Sequence, residues 1–391
     1  MTSSTNLPHI LLMNHEFPPI GGGAATAAAH IAQELRNLGA KVTVLTSAYA
    51  DLPAREVWEG CEILRIPALR VRADSSNVIE MMSFLLSSLW WVVRHAAKHK
   101  ADVCIAFFGI PAGPAAWLLQ KRHGTSYILS LRGGDVPGFL PEALRTWHRL
   151  SGGIIRFLWR QAAFVVANSE GLAALARKGS PEQRILVIPN GVDTTWPAQA
   201  PLSPVPPLSG EGLPENIRLI TTGRLNIQKN YPCLLRALAE VRETNWILEI
   251  IGDGPERNAL QNLAQNLGIA GRVFFRGWLD RKELLSHLAK ADVYVFPSIQ
   301  EGMPNTVLEA MSAALPVIAC TVEGCEELVV EGETGLLTPP DNVAALRTAL
   351  VKLMTAPELR KKMGIAGRSR VQEHYTWRAT TMAYLALCRK C

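Results

Sequence analysis

Two acids and two cations in the second half of the chain have the types and spacing to act together. Glu301 and Glu309 lie in Phe296-Pro297-Ser298-Ile299-Gln300-Glu301-Gly302-Met303-Pro304-Asn305-Thr306-Val307-Leu308-Glu309-Ala310-Met311. Arg224 and Lys229 lie in Gly223-Arg224-Leu225-Asn226-Ile227-Gln228-Lys229-Asn230. A guanidinium grips a phosphate through two parallel hydrogen bonds, and an ammonium adds a compact charge. Carboxylates accept hydrogen bonds from hydroxyls. A ligand with phosphates and many hydroxyls, such as a nucleotide-sugar, suits the set.

The elements that must position these groups follow from hydrophobic pattern. The apolar run Asp292 to Phe296 reads as a buried parallel strand. Gly302 and Pro304 mark a tight loop, with Pro304 suited to the first position of a helix. On that helix Val307, Leu308, Met311 and Leu315 share one side; Asn305, Glu309 and Ser312 fall on the other. Ile217 to Thr222 is another strand, so both charged loops follow strand carboxyl ends, where open α/β sheets bind ligands. Met303 and Asn305, with Gly302 and Pro304, belong to the anion-holding turn at the helix start.

The segment from Ser298 to Met311, with its two glutamates and with Pro297, Gly302, Pro304, Asn305 and Ala310, resembles the signature of retaining glycosyltransferases of family 4. Ile185-Leu186-Val187-Ile188-Pro189-Asn190-Gly191-Val192-Asp193 is similar to the same family. The resemblance implies the α/β fold called GT-B, two Rossmann-like β/α/β domains facing each other across a cleft. It assigns Arg224 and Lys229 to the diphosphate, Glu309 to ribose hydroxyls and Glu301 to the sugar. It also implies that the loops at Gly252-Asp253-Gly254-Pro255 and Gly277-Trp278-Leu279 line the nucleobase pocket. Trp278 either stacks there or packs, and packing is the expectation.

In the first half, His9 to Met13, Ala24 to Leu38 and Lys41 to Thr46 read as strand, helix and strand, with Gly39 as a helix cap. The loop between them carries Gly21, Gly22 and Gly23 in a row rather than Gly-x-Gly-x-x-Gly, so a dinucleotide fingerprint is poorly supported. Gly22 and Gly23 still let backbone amides approach a ligand closely. Val78 to His99 reads as one apolar helix packed within the first domain, with contact to a membrane as the alternative. Asp102 to Phe107, Pro111 to His123 and Ser126 to Leu131 follow as strand, helix and strand. After the last comes Arg132-Gly133-Gly134-Asp135. In many members of the resembling family a His takes the place held here by Arg132. Arg cannot act as a base, but it can bind an anionic acceptor or a leaving phosphate. Asp135 is either an acceptor of the acceptor-hydroxyl proton, a sugar ligand, or a turn residue.

With 391 residues, 48% of them apolar, the chain is expected to form two domains. The boundaries read as an acceptor-binding domain over 1–195, a Pro-rich linker over 196–216, a nucleotide-sugar domain over 217–375, and a last helix over 376–391 that returns to the first domain. The net charge is +6, and residues 1–195 carry 19 Lys+Arg against 14 Asp+Glu. That bias suits an anionic partner such as a phospholipid surface or a lipid-diphosphate acceptor. No nucleic-acid motif is present, and nucleic acid is not an expected partner. The amino terminus lacks a basic region before its apolar run and the stretch Val78 to Val93 is short for a membrane span, so a cytoplasmic protein is expected, with peripheral contact on the inner membrane face as an option. The seven cysteines are read as reduced thiols, and Cys388-Arg389-Lys390-Cys391 as incidental.

The expected reaction moves a hexose-like unit from a nucleoside diphosphate to a glycan or lipid-linked acceptor hydroxyl with retention. No cofactor is expected, and with no Asp-x-Asp in the sequence protein cations would replace a metal at the diphosphate. Arg224, Lys229, Glu301 and Asp135 are the catalytic candidates. A nucleotide-sugar epimerase and a non-catalytic nucleotide-sugar sensor are the competing readings; a pyridoxal-dependent phosphorylase has no motif to support it.

Overall fold

The computed structural model describes residues 7–73, 76–139, 141–194, 216–242 and 244–391. The chain divides into two compact units, one of residues up to Gly191 together with Trp377–Cys391, the other of Val192–Thr376. The predicted linker lies outside the described residues apart from Asn216.

The first unit is built on β1 (His9–Met13), β2 (Lys41–Ser47), β3 (Arg55–Trp58), β4 (Cys61–Ile66), β5 (Val103–Phe107), β6 (Ser126–Leu131), β7 (Phe164–Ala167) and β8 (Ile185–Val187), in the order β3-β4-β2-β1-β5-β6-β7-β8. Every pair is parallel except the edge hairpin β3–β4. The inner strands are continuous apolar runs because both faces of the sheet are covered. Alternate residues feed separate cores: Ile10 and Leu12 join the cluster under the helices Gly23–Asn37 and Trp377–Cys388. Leu11 and Met13 join the one under Val78–Arg94, Gly113–His123 and Pro141–Gln161. The last helix is fastened to this unit by Trp377 stacked on His30 at 4.8 Å and by Tyr384 Oη, 2.7 Å from Ser130 Oγ.

The second unit has an all-parallel sheet of β9 (Ile217–Thr222), β10 (Trp246–Ile251), β11 (Val273–Gly277), β12 (Val293–Phe296), β13 (Val317–Cys320) and β14 (Gly335–Thr338), ordered β11-β10-β9-β12-β13-β14. The chain leaves β9 on one side and returns on the other, so β9 and β12 enclose a topological switch point. β1 and β5 do the same in the first unit.

Several local expectations are corrected. The helix predicted from Val78 to His99 breaks at His95 into Val78–Arg94 and Ala96–His99. Its start is a capping box, with Glu80 N donating to the Asn77 side chain and Asn77 N to the Glu80 carboxylate. Only its inner face is packed: Trp91 is buried, while Trp90 is 57% exposed. The next helix begins at Gly113 rather than Pro111, because Ile110 holds an extended conformation inside the preceding turn. The β3–β4 hairpin and the helices Pro141–Gln161 and Arg281–Leu288 carried no prediction. Among the described residues, no helix is long and apolar enough to cross a membrane.

Candidate active site

The loops after β9 and β12 meet. Val293 and Tyr294 pair with Leu219 and Ile220, and Tyr294 Oη lies 2.8 Å from Thr222 Oγ1 at the strand ends. Beyond them Ile299 N donates to Gln228 O at 3.0 Å, and Gln228 Nε2 donates to Gln300 O at 2.6 Å. The loop after β9 is itself fixed by Asn226, whose side chain accepts from Lys229 N at 3.3 Å. Lys229 therefore reaches Glu301 across the switch point, Nζ to Oε1 at 2.6 Å, with the ammonium 4.6 Å from the Phe296 ring centre. The same Oε1 accepts from Ser298 Oγ at 2.6 Å and from Gln228 Nε2 at 3.3 Å. Among the described residues nothing is bonded to Oε2. Both side chains are mostly buried, with 16% of Lys229 and 11% of Glu301 exposed, so the pair is shielded from water yet open to a ligand.

Glycines let these loops close on one another. Gly252, at φ +127°, sits where a Cβ would run into the carbonyl oxygen of Gly223. Gly324, at φ +78°, presses in the same way on Gly302 O. Gly252 is thus a clearance residue: it allows the turn after β10 to lie against the Arg224 loop. Arg224 stands half-buried on that loop. Gly302, Met303 and Pro304 are buried at the turn, and Asn305 begins the helix Asn305–Ser312, one residue later than Pro304 was expected to.

Val307, Leu308 and Met311 anchor that helix in the core as expected, but Ser312 does not lie on its open side. It is buried and donates to Asp193 O at 3.0 Å. Glu309 is partly buried and has no hydrogen bond to its carboxylate among the described residues. Burial pushes its pKa above the usual carboxylate range, and the nearby Arg281 guanidinium opposes that shift only in part. A half-shielded acid without a donor is suited to receive hydroxyl groups. Trp278 is 58% exposed and does not pack, because it follows the edge strand β11 and has no further strand beside it.

The first unit treats its acids differently. Asp135 is buried, and its carboxylate accepts from Arg132 N at 2.9 Å, Gly133 N at 3.1 Å and Gly109 N at 2.8 Å. A carboxylate held by three amides and shut from solvent pins its loop, which favours the turn-residue reading of Asp135 among the three the sequence left open. Arg132 turns its guanidinium to Asn190 Oδ1 at 2.7 Å and to Tyr384 Oη at 3.5 Å, over the Phe107 ring. No carboxylate pairs with it among the described residues, and its buried Nε has no acceptor. Gly22 and Gly23 are exposed at the start of the helix Gly23–Asn37, with Gly22 N 3.4 Å from Glu16 Oε2.

Sequence reasoning missed Ser298 and Gln228, which orient Glu301, and a cluster in the first unit where Arg70 Nη2 lies 3.4 Å from Glu16 Oε1. Nearby His15 is buried edge-on to Phe108 at 5.1 Å, and burial lowers its pKa to about 4. Gln228 and Ser298 share the two charged loops; Arg70 is remote in sequence from Glu16 and left no such signal.

Two α/β units, each with ligand-type loops at the carboxyl ends of a parallel sheet, define the GT-B class. Sucrose-phosphate synthase from Thermosynechococcus elongatus superposes with a TM-score of 0.84 over 98% of both chains at 23% identity. The family model for glycosyl transferases group 1 matches residues 211–370, and that for a glycosyl transferase 4-like domain matches 22–191. The chain belongs to the group 1 glycosyltransferases and is a glycosyltransferase. It is 27% identical to a GDP-mannose-dependent alpha-(1-6)-phosphatidylinositol monomannoside mannosyltransferase of Mycolicibacterium smegmatis, over 94% of this chain and 95% of that one. It is 28% identical to a glycogen synthase of Mycobacterium tuberculosis, over 97% and 95%.

Proposed function

We propose that the protein transfers a sugar from a nucleoside diphosphate sugar to a hydroxyl of a glycan or lipid-linked acceptor, with retained configuration and with protein cations in place of a metal. The observation that carries the reading is the Lys229–Glu301 pair at the β9/β12 switch point. An ammonium has three donors. With one directed at Glu301, the others are available to a diphosphate, while Oε2 of Glu301 is available to a sugar hydroxyl. Arg224, on the same loop, and the amides at Gly302, Met303 and Asn305 take the remaining phosphate oxygens. Glu309 receives ribose hydroxyls, and Gly252 and Trp278 border the base. In the first unit Gly22, Gly23 and Arg132 serve the acceptor, Arg132 suiting one that bears negative charge.

The chemistry then follows from charge. As the bond from the anomeric carbon to the diphosphate breaks, negative charge grows on the leaving oxygen. Lys229 and Arg224 are set to stabilise it, and aimed donors of this kind are each worth about 10² to 10³ in rate. In this reading Glu301 is a weak covalent nucleophile, because the Lys229 ammonium offsets the carboxylate charge through Oε1 and the sugar hydroxyl occupies Oε2. The acceptor oxygen therefore forms its bond on the face the diphosphate leaves, and its proton passes to the departing phosphate.

A panel of nucleoside diphosphate sugars tests this by slow donor hydrolysis, with and without a chelator. Release of one nucleoside diphosphate, unaffected by the chelator, is expected, and nuclear magnetic resonance of the transfer product should show the donor's anomeric configuration. No release from any donor overturns the reading; inversion or chelator-dependence overturns the corresponding part.

A further inference from the structure

The helix Val78–Arg94 is apolar on both sides. Phe84, Leu85, Trp91 and Val92 enter the core. On the opposite side Ile79, Met82, Leu86, Trp90 and Val93 recur at spacings of three and four residues, each between 36% and 69% exposed. Among the exposed residues of this helix only Arg94 is polar. A helix that merely covers a core carries polar residues outward. The stripe is extended by Leu69 and Val71, 66% and 78% exposed. They are held beside the helix start by bonds from Leu69 N to Ser83 Oγ at 2.8 Å and from Val71 N to Glu80 Oε1 at 3.0 Å.

A second apolar stripe lies on the same face of the unit. The helix Gly113–His123 packs between Val78–Arg94 and Pro141–Gln161, and Trp117 meets Phe157 edge-on at 5.5 Å. On Pro141–Gln161, Leu150, Ile154 and Phe157 are exposed at spacings of four and three. Among the described side chains of these helices the exposed charges are positive. Arg94, Lys98, Lys121, Arg122, Arg149 and Arg160 are exposed along the helices 78–94, 96–99, 113–123 and 141–161. The acid among their described side chains is Glu80, which is buried and spent on its capping box.

We propose that this face of the first unit docks on an anionic lipid bilayer, with the stripe of Val78–Arg94 lying in the headgroup layer. Apolar side chains interleaved with cations, and a Trp at one end, fit the boundary between acyl chains and anionic headgroups. Charge complementarity selects this occupant over a second copy of the chain, whose equally basic rim would be repelled. The inference stands on the surface and does not need the transfer reading.

The test is co-sedimentation of the full chain with vesicles of phosphatidylglycerol and phosphatidylcholine, against phosphatidylcholine alone. Binding to the anionic vesicles is expected, weakened by salt. Leu86→Glu with Trp90→Glu should cut the partition at least about tenfold, the scale of withdrawing one large apolar side chain. Arg149→Glu with Arg160→Glu should remove the preference for anionic lipid while leaving the apolar stripes intact. Both variants should keep the parent's melting temperature and its donor hydrolysis in solution. No binding of the parent, binding indifferent to both variants, or a dimer that the Leu86/Trp90 variant dissolves would each overturn the proposal. Vesicle binding without donor hydrolysis would sink the transfer reading and leave this one standing.

Discussion

At the carboxyl end of β6 in the first unit an acid accepts from three backbone amides; at the end of β12 in the second an acid accepts from a Lys, a Ser and a Gln. Asp135 and Glu301 both follow a buried parallel strand, both lie beside glycines and both are shielded. They differ in what satisfies them. Amide donors cannot leave without distorting the backbone, so Asp135 is committed to its loop. The Lys229 ammonium can turn toward an incoming anion, and Glu301 keeps one oxygen for a new donor. A carboxylate's part in chemistry is thus decided by whether its partners are exchangeable.

Substitutions in the two loops should therefore fail in opposite ways. The largest effect belongs to the second unit: Lys229→Ala and Glu301→Ala should each lower kcat about 10² to 10³-fold, as for loss of an aimed charge, with the thermal melt close to the parent's. Near-normal turnover in both would dissolve the contrast. Asp135→Ala should cost stability instead, about 3 kcal/mol as amides lose a charged acceptor inside the fold. A melt of the first unit's transition reads this, and a stable Asp135→Ala protein without turnover would return Asp135 to the reaction.

The smallest effect concerns Glu309. Burial raises its pKa, so folding favours the protonated carboxyl. That advantage is full below the unfolded value of about 4.3 and is lost as pH rises through the higher folded value. Glu309→Gln should consequently melt above the parent at neutral pH, with the gap closing in acid, while its donor KM rises. A higher melting temperature with an unchanged KM would show a buried acid without a ligand role.

Much of the scaffold was legible because it depends on local pattern. The strands Ile217–Thr222 and Val293–Phe296 are uninterrupted apolar runs, and the apolar spacing of Val307, Leu308 and Met311 marks a helix face. The β3–β4 hairpin escaped because its turn is Glu59-Gly60, with Glu59 at φ 49°, where Asn or Asp is the usual signal. The helix Pro141–Gln161 hid behind Gly152 and Gly153 in its middle, which read as breakers. Adjacent tryptophans show the limit of composition: Trp91 is in the core and Trp90 faces outward.

By itself the sequence determined the residue types at each strand's carboxyl end and the order in which they arrive, since both follow from short-range periodicity and turn chemistry. Only the tertiary structure decided which donors each acid meets. Gly109 reaches Asp135, and Lys229 reaches Glu301, across strands that sheet order and register bring side by side. Hydrogen-bond partners are set by that three-dimensional pairing, and no spacing along the chain encodes it.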